Sequence, residues 1–186
     1  MGVLVEELTQ EGGAGPEHSD HDDGRLDALT AVYPDVRLVL LHRDPVVLSA
    51  SVCSLISTLS GTFSDADHTA YVAEHWPAML EESVRRIEAF RVAHPEHPIV
   101  DVQYADLVRD PLPTVEDLYA ACGEELDGDA RDAMAAYVNA HPKTEFGTHG
   151  YDLAEFGLDG GELAERFAGY VDRYDVAIES SRIAES

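Results

Sequence analysis

The chain has 186 residues, 45% hydrophobic and 26% charged, which suits one globular domain with a real core. Against 12 Lys+Arg stand 37 Asp+Glu, a formal net charge of −25. A polyanion of this kind is repelled by nucleic acid and anionic lipid, so neither is expected as a partner, and any anionic ligand must be held by a few local donors.

Met1-Gly2-Val3-Leu4-Val5-Glu6-Glu7 lacks the basic start and long apolar stretch of a signal peptide. No apolar run reads as long enough to span a bilayer, and a cytoplasmic protein is expected. Residues 1–24 read as a flexible, acidic, Gly-rich lead-in. Within it, Gly12-Gly13-Ala14-Gly15-Pro16 is linker-like and His18-Ser19-Asp20-His21-Asp22-Asp23 is a polar tract.

The globular pattern begins at Leu26. Leu26, Leu29, Thr30 and Tyr33 share one helix face, ended by Pro34. Val36 to His42 is a near-continuous apolar run, expected as a strand buried on both faces. Asp44 suits an N-cap and Pro45 a first helical residue, opening a helix to about Ser60. Ser64-Asp65 is expected to start a longer helix carrying Val72, Trp76, Met79, Leu80, Ile87 and Phe90, kinked at Pro77. Pro98 to Tyr104 reads as a second strand. Helices follow over Pro113–Cys122, closed by Gly123, and Asp129–Ala140, stopped by Pro142. The loop 141–151 is rich in Gly, His and Thr. Asp159 with Glu162 resembles a capping box, and Leu163, Phe167, Val171 and Tyr174 line one face of the last helix. Residues 179–186 read as a tail.

Two strands among many helices imply a helix-rich α/β fold. A doubly buried strand needs neighbours, so a strand beside Val36–His42 is expected to be missing or supplied by Val3-Leu4-Val5. Cys53 and Cys122 sit in apolar helical contexts without CxxC spacing and read as two reduced, buried thiols.

The stretch Leu38-Val39-Leu40-Leu41-His42-Arg43-Asp44-Pro45 carries the chemistry. In open α/β sheets ligands bind beyond the carboxyl ends of the strands, where Arg43 sits. The following helix aims its N-terminal amides at the same crevice, which favours an anion. Ser51, in the second turn, adds a hydroxyl, and Arg43 a planar fork that matches phosphate oxygens. The competing account is that Arg43 pairs with one of many carboxylates and Ser51 only packs.

Arg43-Asp44-Pro45, with Ser51 eight residues after the Arg and then Ser54-Leu55, resembles the 3′-phosphate-binding motif of sulfotransferases that use 3′-phosphoadenosine 5′-phosphosulfate (PAPS). Leu26-Asp27-Ala28-Leu29, Tyr33-Pro34-Asp35, Tyr104-Ala105-Asp106-Leu107 with Asp110-Pro111, His149-Gly150-Tyr151 and Phe156-Gly157-Leu158 are similar to bacterial members in order and spacing. The resemblance runs from about Leu26 to Val176 and implies a P-loop-NTPase-like sulfotransferase fold, truncated at the N-terminus, with a partial domain over residues 25–178. By it, Arg43 and Ser51 hold the 3′-phosphate and Tyr104 lies beside the nucleotide. The loop of Lys143, Gly147 and His149 closes over the phosphate end. Packing for Tyr104 and a solvated surface charge for Lys143 are the alternatives.

The family's first strand ends in a phosphate loop that grips the 5′-phosphosulfate. No segment here matches it, and 42 residues precede Arg43. The family also places a Lys and a His shortly before the Leu-Asp-Ala-Leu helix. Gly15-Pro16-Glu17-His18 echoes that pattern without the Lys, which makes His18 the candidate base and a surface histidine the competing reading. No metal is expected: His18 and His21 lie in a Gly-rich tract, and Pro95 splits the pair His94 and His97. The resemblance thus implies PAPS or its product PAP (adenosine 3′,5′-bisphosphate) as ligand and a hydroxyl acceptor. The chain alone is expected to be inactive. A non-catalytic binding or assembly module, whose exposed sheet edge recruits a partner strand or a second copy in a homo-oligomer, is the alternative.

Overall fold

Leu38–His42 form strand β1, and Leu38, Leu40 and His42 alternate into the core while Val39 remains 39% exposed. The computed structural model describes residues 24–141 and 152–179. β1 is therefore not buried on both faces. Its His42 face is covered by Tyr170 and Tyr174, and its Val39 face is partly open.

β1 does have a sequence-encoded neighbour. It pairs in parallel with β2 (Ile99–Gln103), from Leu38 opposite Ile99 to His42 opposite Gln103. Among the described residues no third strand flanks the pair. Val3-Leu4-Val5 lies outside them.

A parallel pair needs a crossover, provided here by two helices, α2 (Pro45–Phe63) and α3 (Thr69–Ala93). Helix α1 (Gly24–Val32) precedes β1. After β2 come α4 (Tyr104–Arg109), α5 (Pro111–Ala121), α6 (Gly128–Ala140), a 3-10 turn (Ala154–Phe156) and α7 (Gly160–Tyr174).

Several boundaries differ from expectation. α2 runs past Ser60 to Phe63, and α3 starts at Thr69 rather than near Ser64. α3 continues through Pro77. β2 stops at Gln103, so Tyr104 opens a short helix instead of ending a strand. α5 begins at Pro111, because proline fits the first turn of a helix. Gly123 follows α5 with φ 73°, a left-handed turn that favours glycine.

The core gathers where α2 meets α7 and α3. Val46 and Ala50 pack with Leu153, Leu163 and Phe167. Cys53, Val72 and Phe156 form the adjoining cluster, with Trp76 against it. Each fully buried Leu, Val or Phe side chain contributes about 1.5–3 kcal/mol. α7 starts where expected: the Asp159 carboxylate accepts from the N–H groups of Gly161 at 2.7 Å and Glu162 at 2.9 Å.

One composition-based expectation is corrected. α2 carries no charged side chain and is long and apolar enough, by length and composition, to cross a membrane. Its first six residues, Pro45 to Ala50, are buried in the protein core, and a core helix meets the same criterion.

Candidate functional site

The carboxyl end of β1 delivers Arg43, and α2 begins two residues later. Between them Asp44 is 1% exposed and uses both oxygens. Oδ1 accepts from the Val46 N–H at 2.9 Å, the expected N-cap bond. Oδ2 accepts from the Glu179 N–H at 2.7 Å. The N-terminal dipole of α2 is thus partly satisfied by a buried carboxylate.

Arg43 lies over Tyr104, with Cζ 4.4 Å from the ring centroid. Its Nε donates to Glu179 Oε1 at 2.8 Å, and Nη2 donates to Oε2 at 3.5 Å. The two side chains are only 12% and 14% exposed, so solvent screens this pair weakly. The clamp and the ion pair, competing accounts of Arg43, meet in one place. The arginine stands at the strand end beside Tyr104, and a carboxylate holds its fork.

Glu179 arrives from the far end of the chain. α7 ends at Asp175, left-handed at φ 48°, and the Val176 N–H donates back to the Val171 carbonyl at 3.1 Å. Val176 is buried, and three residues on the chain meets Asp44 and Arg43 at Glu179. No periodicity or motif at residue 179 announces this role.

Behind Arg43 runs a polar chain that the sequence reading also missed. His42 is 1% exposed. Its Nε2 lies 2.7 Å from Asp101 Oδ1 and its Nδ1 3.0 Å from the Tyr170 hydroxyl. Burial holds the Tyr170 phenol well above its ordinary range, so it stays protonated and donates to Nδ1. Nε2 then carries the imidazole proton and donates to Asp101. Burial lowers the His42 pKa, outweighing the upward pull of Asp101. Arg91 donates to the same Asp101 oxygen, and Tyr174 stacks on His42 at 4.3 Å between centroids. His42 directly precedes Arg43 in the chain, which joins this network to the site. Both nitrogens of His42 are engaged inside the protein, so His42 is not placed as a base for an external hydroxyl.

Of the residues singled out from sequence, Arg43 and Tyr104 come together. Ser51 lies half-buried in the second turn of α2. His18, Lys143, Gly147 and His149 lie outside the described residues. Among the described residues no group of His, Cys, Asp and Glu is arranged to hold a metal ion. His94 is paired with Asp27 at 2.9 Å and Glu96 at 3.1 Å. Both cysteines are free; Cys53 is buried as expected, but Cys122, at the end of α5, is only half-buried.

A pocket of 210 Å³ opens at the other end of the sheet, between Leu38 and Pro98. Arg37 on its wall donates to the carbonyls of Cys122 at 3.0 Å and Asp35 at 3.1 Å, which makes it a structural tie. The chemistry sits at the Arg43 end. It can hold one anionic group, between a fixed cation backed by an aromatic face and the head of a helix.

Comparison with known proteins bears on the family. A model described as the sulfotransferase family matches residues 16–128, which include Arg43, Ser51 and Tyr104. The search of curated proteins finds no match. Among solved structures, the chain is similar to the crystal structure of sulfotransferase STF9 from Mycobacterium avium, with 26% identity and a TM-score of 0.72. That similarity covers 84% of this chain and 41% of the other, so the chain spans less than half the length of the protein it matches.

Proposed function

The chain belongs to the sulfotransferase family, and from that premise we propose that residues 25–178 form the part of a sulfotransferase domain that holds the 3′-phosphate of PAPS or PAP. The observation that carries this is the placement of Arg43 at the carboxyl end of β1, 4.4 Å above Tyr104 and at the head of α2. The residues fit a phosphate. The Arg43 fork already holds an anion, the Glu179 carboxylate, in a weakly screened setting. Ser51 adds a hydroxyl from α2, and Tyr104 gives the nucleotide an aromatic neighbour. Lys143, Gly147 and His149 close over the phosphate end in the same reading.

When bound, PAPS supplies the sulfuryl group that the complete enzyme passes in line to an acceptor hydroxyl. This chain's residues would bind and orient the donor. No segment matches the loop that grips the 5′-phosphosulfate, and each donor to a reacting group of that kind is typically worth about 3 kcal/mol. Turnover by this chain alone is therefore expected to be negligible. His18 is the candidate base. A cytoplasmic setting goes with this reading.

The test is calorimetric titration of PAP into the wild-type chain and R43A at moderate salt. Wild-type binding that R43A loses by tenfold or more supports the site. Equal binding by both sinks it, and so does no binding by a folded wild type together with none by a folded E179Q chain, in which the carboxylate no longer holds the Arg43 fork.

A specific observation favours a second function, assembly with a partner strand or a second copy. The β1–β2 pair has no third strand among the described residues, and Leu55, Leu59 and Phe63 lie exposed along α2. Light scattering decides it: a monomer at all concentrations counts against assembly.

A further inference from the structure

The contact between Glu179 and Arg43 has two separable grips. The main chain of Glu179 is fixed on Asp44 Oδ2 at 2.7 Å. Its carboxylate separately takes the Nε and Nη2 side of the Arg43 guanidinium. A phosphate uses that same planar edge, since two parallel N–H donors suit a tetrahedral oxyanion as they suit a carboxylate.

We infer that Glu179 is a displaceable occupant of the Arg43 anion site, a built-in carboxylate competitor that ligand phosphate must push aside. This rests on the reading of Arg43 as a phosphate-binding residue. The geometry lets the side chain leave without the segment leaving. The left-handed turn at Asp175, the buried Val176 and the Asp44 bond hold the backbone, while the Glu179 carboxylate can rotate about its own side-chain bonds. The consequence is twofold. In the free protein the largely buried guanidinium keeps an anionic partner and avoids the cost of an unpaired charge. In binding, the displaced carboxylate sets a threshold, so an anion must interact with Arg43 better than Glu179 does.

The experiment is titration of PAP into four chains: wild type, E179Q, E179D and the double variant R43A/E179Q. E179Q keeps the shape and the main-chain bond to Asp44 but removes the charge. E179D keeps the charge but shortens the reach, and it carries the test if E179Q does not fold. The expected result is that E179Q binds PAP about tenfold more tightly than wild type, that E179D gains less, and that R43A/E179Q loses the gain. Binding by E179Q where wild type shows none also supports the inference. Wild-type binding that E179Q leaves unchanged or weakens overturns it, because Glu179 would then be orienting Arg43, while the phosphate site itself would stand. Absence of binding in all four folded chains overturns both.

Discussion

His42 on β1 reaches Asp101 on β2 diagonally, its Nε2 2.7 Å from Oδ1, although its direct partner in register is Gln103. The bond ties the two strands on the face that Tyr170 and Tyr174 cover. Because burial lowers the His42 pKa, the folded protein binds that proton less readily than the unfolded chain, whose histidine titrates near 6.5. Stability from this group is therefore complete above the unfolded value and falls as pH drops through 6.5 toward the folded value. Thermal melts of wild type and H42N from about pH 7.5 to about 5 should show a steeper acid loss in wild type. Parallel profiles would refute the assignment.

Tyr104 offers Arg43 its ring face rather than its hydroxyl. Y104F should therefore bind PAP like wild type, whereas Y104L should bind about three- to tenfold more weakly. The check is a calorimetric comparison of the two variants. Weakening by Y104F as large as that by Y104L would mean that the hydroxyl, not the ring, is used.

Asp44 supports two elements at once, the head of α2 and the segment at Glu179. D44A should cost about 2 kcal/mol in urea unfolding, more than an ordinary cap, because two buried N–H donors lose their acceptor. D44N retains acceptor capacity and should cost less. A D44A change below about 0.5 kcal/mol would show that the chain relaxes around both donors.

The cysteines should separate cleanly by reactivity. Cys53 is fully buried, and burial pushes its thiol up to about 11. Cys122 lies half-buried at the end of α5. A thiol reagent near neutral pH should modify Cys122 in the native protein and both residues only after denaturation, as mass spectrometry would report. Native labelling at Cys53 would contradict the packing of α2 on Val72.

What was legible in the sequence is what depends on neighbours along the chain. Arg43-Asp44-Pro45 could be read because a cation after an apolar run, followed by an N-cap and a first-turn proline, has one local solution. The helices stood out through period and caps, and Asp159 capped α7 as its spacing implied. The family was legible from motif order. Long-range partnership was not. Glu179 lies 136 residues from Arg43, and no local pattern relates them. His42 looked like the polar end of an apolar strand, and only the sheet register and α7 show why an imidazole is buried there. Tyr104 was placed in a strand because its side-chain type suits one, yet the chain turns helical at that residue.

The site has a birth order. Arg43 and Asp44 leave the ribosome first, and the segment that meets them comes 136 and 135 residues later. Loop closure over that span puts the contact among the last to form. Until residues 176–179 are synthesised, a nascent chain with α2 already folded lacks both contacts that Glu179 makes at the strand end.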